Sequence, residues 1–160
     1  MSGGGGHRPA VARIVSGGQT GVDRAALDAA IALGIPCGGW CPRGRRAEGE
    51  PIPDVYPLRE TPTSAYPERT AWNVRDSDGT LVLARGVPTG GTALTVALAR
   101  RTGKPVLIAN PDQDSPERAA AWLARERIRT LNVAGPRESE APGIHDSAVA
   151  FLRALLAGEG

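Results

Sequence analysis

Two glycine-rich stretches have the residue types to hold an anion. The first, Ser16-Gly17-Gly18-Gln19-Thr20-Gly21, follows the apolar residues 12–15 and precedes an Ala-rich segment over 24–33. Glycines let backbone N–H groups approach a ligand closely, and the unpaired amides at the N-terminus of a following helix favour negative charge. The spacing is not G-x-G-x-x-G, and no Gly-Lys-Ser/Thr follows, so neither the dinucleotide nor the triphosphate fingerprint applies. The second stretch, Pro88-Thr89-Gly90-Gly91-Thr92, repeats the arrangement, and its threonine hydroxyl suits either a helix cap or a phosphate oxygen. Gly17, Gly18, Gln19, Thr20, Gly21, Gly90, Gly91 and Thr92 are therefore the expected phosphate-binding residues. A turn serving geometry alone is the alternative.

Other side chains could complete such a site. Arg43, Arg45 and Arg46 lie in a proline-rich stretch that could fold over the ligand, and Arg45, beside Gly44, is the favoured phosphate partner. A solvated basic turn is the alternative. Trp40 could stack a planar heterocycle, as could Trp72, although either also suits a core. Asp23 falls in a first helical turn, where it complements the helix dipole and could also meet a ribose hydroxyl or a metal. Asp76 and Asp78 are the weak candidates for a catalytic carboxylate, against an ordinary role as turn residues. Cys37 and Cys41 are read as free thiols, because a structural zinc site needs four ligands and the chain has only His7 and His145 besides. No metal site is expected, and no nucleophilic triad can be assembled.

These residues need elements to place them. Apolar runs at 13–16, 35–40, 80–84, 106–109 and 130–134 read as short strands buried on both faces. Helical periodicity reads over 24–33, 66–76, 93–101, 115–127 and 145–156, with Gly34 and Pro36 stopping the first. Between them, 42–67 is proline-rich and reads as a long ordered loop or lid. Strands alternating with helices predict an α/β fold, a Rossmann-like three-layer sandwich with a mostly parallel sheet. Ligands of such sheets bind beyond the carboxyl ends of the strands where strand order reverses. If the strands before Gly17 and Gly90 are neighbours there, the two loops face one crevice.

The chain has 160 residues and reads as a flexible tail over 1–10 followed by a single ligand-binding domain over 11–158. Its net charge of +2, with 19 basic residues of which only Lys104 is lysine, offers no basic field for nucleic acid. Two cysteines make no disulfide framework, and neither a signal pattern nor a long apolar span stands out. A cytoplasmic protein with a small-molecule partner, and with neither nucleic acid nor membrane, is expected.

The runs Ser16-Gly17-Gly18-Gln19-Thr20-Gly21-Val22-Asp23-Arg24-Ala25-Ala26-Leu27-Asp28 and Gly38-Gly39-Trp40-Cys41-Pro42-Arg43-Gly44-Arg45, with Glu48, closely resemble the putative molybdenum carrier family. So do Tyr66, Arg69-Thr70-Ala71-Trp72-Asn73-Val74, Ser77-Asp78-Gly79-Thr80 and Gly90-Gly91-Thr92. That family is similar to the Rossmann-like superfamily of cytokinin-activating phosphoribohydrolases and the DNA-processing protein A fold, with a rearranged strand order. The resemblance implies a homodimer or tetramer whose glycine loops bind a phosphorylated heterocycle, molybdenum cofactor or a nucleotide derivative, as carrier or sensor. A nucleotide hydrolase acting on an N-glycosidic or phosphate bond is the alternative it implies. Against that alternative, Thr95 stands where the phosphoribohydrolase pattern P-G-G-x-G-T-x-x-E places its catalytic glutamate.

Overall fold

The computed structural model describes residues 10–157, so the tail expected at the N-terminus lies almost wholly outside the described residues. Its strands are β1 (Arg13–Val15), β2 (Cys37–Gly38), β3 (Trp40–Cys41), β4 (Arg59–Glu60), β5 (Gly79–Leu83), β6 (Val106–Ala109) and β7 (Thr130–Ala134). Its helices are α1 (Val22–Leu33), α2 (Tyr66–Arg75), α3 (Gly90–Arg101), α4 (Pro116–Arg125) and α5 (Ile144–Leu156). Local chemistry sets several of these ends. The Gly34 N–H returns to the Ala30 and Ile31 carbonyls to close α1. Ser115 caps α4 by accepting from the Glu117 N–H, with Pro116 in the first turn.

Five strands form one parallel sheet in the order β2-β1-β7-β5-β6, giving the expected α/β, Rossmann-like architecture. Side chains alternate across it. Ile14, Leu81, Leu83, Leu107, Leu131 and Val133 join apolar residues of α1, α4 and α5 in the main core. Val82, Val106 and Ile108 face the other way, with Val96 of α3 in a smaller cluster. On that second face the middle of β7 presents Asn132 and β5 presents Thr80, joined by a hydrogen bond from Asn132 Nδ2 at 3.2 Å.

The order explains where a ligand can enter. Counted from β7, the strands run β7, β1, β2, β5, β6, and the sheet reads 3-2-1-4-5, the doubly wound order. The last strand in the chain is therefore the first in the architecture. Strand order reverses between β7 and β5, so β1 and β5 are separated by β7 and are not the neighbours that two facing glycine loops suggested.

The expected strand over 35–40 is broken. Gly39 sits at φ 126, with the Ser16 backbone and Asn73 Oδ1 in the space a side chain would need, and the chain turns there from β2 into β3. β3 pairs in parallel with β4, a short strand inside the stretch expected to lack regular structure. Among the described residues no helix is long and apolar enough to cross a membrane.

Candidate functional site

At the reversal point lies a cleft of about 330 Å³, bounded by the carboxyl end of β7, the N-terminus of α3, the loop before α1 and one face of α2. From β7 and the loop after it come Asn132, Gly135, Arg137 and Glu140; from α3 come Gly90, Gly91, Thr92 and Thr95; from the first loop come Gly17, Gln19 and Asp23. α2 contributes Tyr66, Arg69, Thr70 and Asn73. Their spacing of i, i+3, i+4 and i+7 puts all four on one helix face.

The two glycine loops do different work. In the first, three successive N–H groups turn to the protein's own side chains: Gly18 to Ser16 Oγ at 3.4 Å, Gln19 to Asp23 Oδ2 at 3.3 Å and Thr20 to Gln19 Oε1 at 3.0 Å. Its carbonyls are held too, Gly17 by Arg69 Nη1 at 2.7 Å and Gly18 by Arg24 Nη2 at 3.0 Å. Gly18, at φ 76, packs beneath Ile52 and Leu58, and a side chain at Gly21 would meet the 136–138 backbone. Thr20 Oγ1 is bonded to Glu48 and receives the Glu138 N–H. Gly18, Thr20 and Gly21 thus shape the loop and, of the residues expected to bind phosphate, are not among those that line the cleft.

The second loop is open. A side chain at Gly91 would meet nothing within 4 Å, and at Gly90 only Glu140 Oε2 at 4.0 Å. The helices whose N-termini line the cleft are α1, α2 and α3. α1 carries Asp23 in its first turn and α2 carries Glu68. α3 has no acidic residue in its first turn. Its positive end is the one left for a ligand anion.

Within the cleft, Asp23 is 6% exposed, and burial pushes its carboxyl up to about 6 against the opposing pull of Arg69, the Gln19 N–H and Arg24. Arg69 Nη1 lies 3.7 Å from Asp23 Oδ2. Asn73 is buried and holds β3 in place, accepting the Trp40 N–H at 2.8 Å and donating to the Trp40 carbonyl at 2.9 Å.

Several expected site residues lie elsewhere. The Arg45 guanidinium donates to the carbonyls of Ile52, Leu58, Pro53 and Tyr56 at 2.9, 3.5, 2.7 and 2.8 Å, so four of its five N–H groups staple the proline-rich strap, and Arg45 does not line the cleft. Trp40 packs edge-to-face on Trp72 at 4.7 Å and donates from Nε1 to Asp76 Oδ2 at 2.8 Å. It faces a separate cavity of about 230 Å³ with Arg13 and Arg59 and cannot stack a ligand of the main cleft. Asp76 is occupied by Trp40 and Arg75, and Asp78 Oδ2 accepts the Arg129 and Thr130 N–H groups at the amino end of β7. Neither carboxylate lines the main cleft; Asp76 borders the second cavity.

A family model described as circularly permutated YpsA SLOG matches residues 14–156. The chain belongs to this family. A sheet whose architectural first strand comes last in the chain accords with that family's permutation. The family member is also similar to a crystal structure of a putative molybdenum carrier protein from Syntrophus aciditrophicus SB: 48% identical, TM-score 0.88, covering 93% of this chain and 97% of that one. No curated protein matches it.

The family motif around Tyr66-x2-Arg69-Thr70-x2-Asn73 forms one wall of the cleft, a role that the sequence reading does not give to these four residues. Asn132 was also missed; an amide between Leu131 and Val133 in a buried strand was the signal for it.

Proposed function

We propose that this protein binds a phosphorylated heterocyclic ligand, molybdenum cofactor or a nucleotide derivative, as a carrier or sensor, with the phosphate at the N-terminus of α3. One observation carries the reading: of the three helix N-termini that line the cleft, those of α1, α2 and α3, only that of α3 has no acidic residue in its first turn, and open space stands over Gly91. Gly90, Gly91 and Thr92 are the phosphate-binding residues in this reading, Arg69 and Arg137 add positive charge, and Gly17 and Gln19 line the wall opposite. That the solved relative is named a putative molybdenum carrier supports a ligand-carrying role.

The open N-terminus of α3, with Arg69 and Arg137 in the same cleft, fits the phosphate of such a cofactor. Among the described residues no group of three or more His, Cys, Asp or Glu side chains could hold a metal ion. Molybdenum would therefore stay on the cofactor's own dithiolene sulfurs, which supply the metal chemistry when the cofactor is bound. In the same reading the domain spans 11–158 and acts in the cytoplasm as a homodimer or tetramer; a monomeric mass by light scattering would remove the oligomer.

Titration of the full chain with methyl phosphate and with adenosine 5′-monophosphate tests the reading. Saturable binding lost in Gly91→Val, with the melting temperature kept, is expected, because the side chain fills the ligand's space and touches nothing else. Unchanged affinity in that variant overturns it. A nucleotide hydrolase is the second reading, favoured by one observation, a buried carboxylate, Asp23, inside the cleft. Release of adenine or phosphate from adenosine 5′-monophosphate, abolished in Asp23→Asn, would establish turnover.

A further inference from the structure

We infer that Asp23 reads a hydrogen-bond donor, an O–H or N–H group, on the ligand, making the cleft selective for phosphate esters that carry such a donor over bare phosphate. This rests on the reading that phosphate sits at α3. The two oxygens of Asp23 differ. Oδ2 accepts the Gln19 N–H at 3.3 Å and lies 3.7 Å from Arg69 Nη1. Oδ1 makes no hydrogen bond of ordinary geometry among the described residues, the Gly17 N–H adding a weaker pull on the carboxylate, and it is not a sealed orphan; among the described residues Arg24 Nε is the one buried side-chain atom found in that state. Asp23 lines the cleft and is 6% exposed, so the side chain meets the cleft.

An ionised carboxylate can only accept, and a buried one left half satisfied is costly, so the partner that completes it is a donor. The nearest cation does not fill this place. Arg69 spends Nη1 on the Gly17 carbonyl and Nε on Thr70 Oγ1 at 3.2 Å. Among the described residues no group of three or more His, Cys, Asp or Glu side chains surrounds Asp23. Asn132 extends the pattern: its Nδ2 is bonded to Thr80, leaving its Oδ1 as a second acceptor in the cleft. The cleft thus has a donor end, the N-terminus of α3, and an acceptor end, Asp23 with Asn132. A molecule with a phosphate at one end and hydroxyls or a ring amine at the other matches both.

The ionised form does the reading, so the preference fades as Asp23 takes up its proton. The charged groups facing Asp23 are Arg69 from α2, Arg24 on its own helix, and Arg137 and Glu140 from the loop after β7. β7 and the first turn of α3 contribute neutral Asn132 and Thr92.

The test compares affinities of the full chain for methyl phosphate, ribose 5-phosphate, adenosine 5′-monophosphate and its 2′,3′-dideoxy analogue, across pH. Taking each ester relative to methyl phosphate cancels the phosphate's own titration near pH 6. Ribose 5-phosphate or the nucleotide should bind about tenfold tighter than methyl phosphate above neutrality. That surplus should vanish in Asp23→Asn, which keeps an acceptor for the Gln19 N–H, and below about pH 6 in the unaltered chain. A surplus kept by the dideoxy nucleotide assigns the donor to the ring; one lost with the hydroxyls assigns it to the sugar. Esters binding no tighter than methyl phosphate, or a surplus indifferent to both Asp23→Asn and pH, overturn the inference. In that case methyl phosphate binding still sensitive to Gly91→Val leaves the cleft reading standing; no such binding removes both.

Discussion

Arg69 Nη1 donates to the Gly17 carbonyl oxygen at 2.7 Å and occupies the place where a side chain at residue 17 would project. The same guanidinium offsets part of the charge of Asp23. Helix α2 and the first glycine loop are thus locked together by one side chain that also sets the electrostatics of the cleft. Gly17→Ala displaces Arg69, and the expected cost is about 1–3 kcal/mol of stability, the value of a charged hydrogen bond lost at a buried carbonyl. Denaturant unfolding measures it; a stability equal to the parent's would show that Arg69 relaxes freely.

Asp23 is held in place at a cost to the fold. Its folded value near 6 exceeds the ordinary carboxyl value of 3.8, so the folded protein binds this proton more tightly than the unfolded chain does. The penalty is absent below the unfolded value, grows as pH rises towards the folded one, and amounts to roughly 3 kcal/mol above it. Asp23→Asn should therefore stabilise the empty protein at about pH 8 and leave it unchanged near pH 3, a comparison that thermal melting at the two pH values provides.

Arg45 gathers four carbonyls of the strap onto one guanidinium and makes that segment a single unit. Arg45→Ala should lower stability by about 1–3 kcal/mol and speed proteolysis between residues 42 and 62. Affinity for methyl phosphate should hold, because the strap arginine does not line the cleft. Protease resistance equal to the parent's would contradict the staple.

Lys104 Nζ donates to the carbonyls of Val74, Arg75 and Ser77 at 3.2, 2.6 and 2.7 Å, closing the end of α2. Replacing the chain's single lysine by methionine keeps the aliphatic stem and removes the charge. A loss of about 1–3 kcal/mol in urea unfolding is expected.

The sequence exposed the elements well because their signals are local: Gly34 stopping α1, Pro116 opening α4, buried apolar runs for β5 and β7. The order of strands is a long-range outcome, and nothing near residue 132 announces that β7 lies in the middle of the sheet. That single placement moved the reversal point from β1 to β7 and changed which loop can receive an anion. Arg45, Trp40, Asp76 and Asp78 have the right chemistry for a site, but their partners are backbone groups and rings brought in by folding. The polar face of α2, by contrast, was written in the spacing of Tyr66, Arg69, Thr70 and Asn73. Polar residues at helical period carry as much information as apolar ones.

Amide chemical shifts of the ¹⁵N-labelled chain, followed during titration with methyl phosphate, test the central claim most directly. Saturable shifts of the Gly90, Gly91 and Thr92 amides, with the Gly18, Gln19 and Thr20 amides changing less, are the predicted result. Shifts centred on residues 18–20, or on surface arginines such as Arg100 and Arg101 alone, would contradict an anion site at the N-terminus of α3.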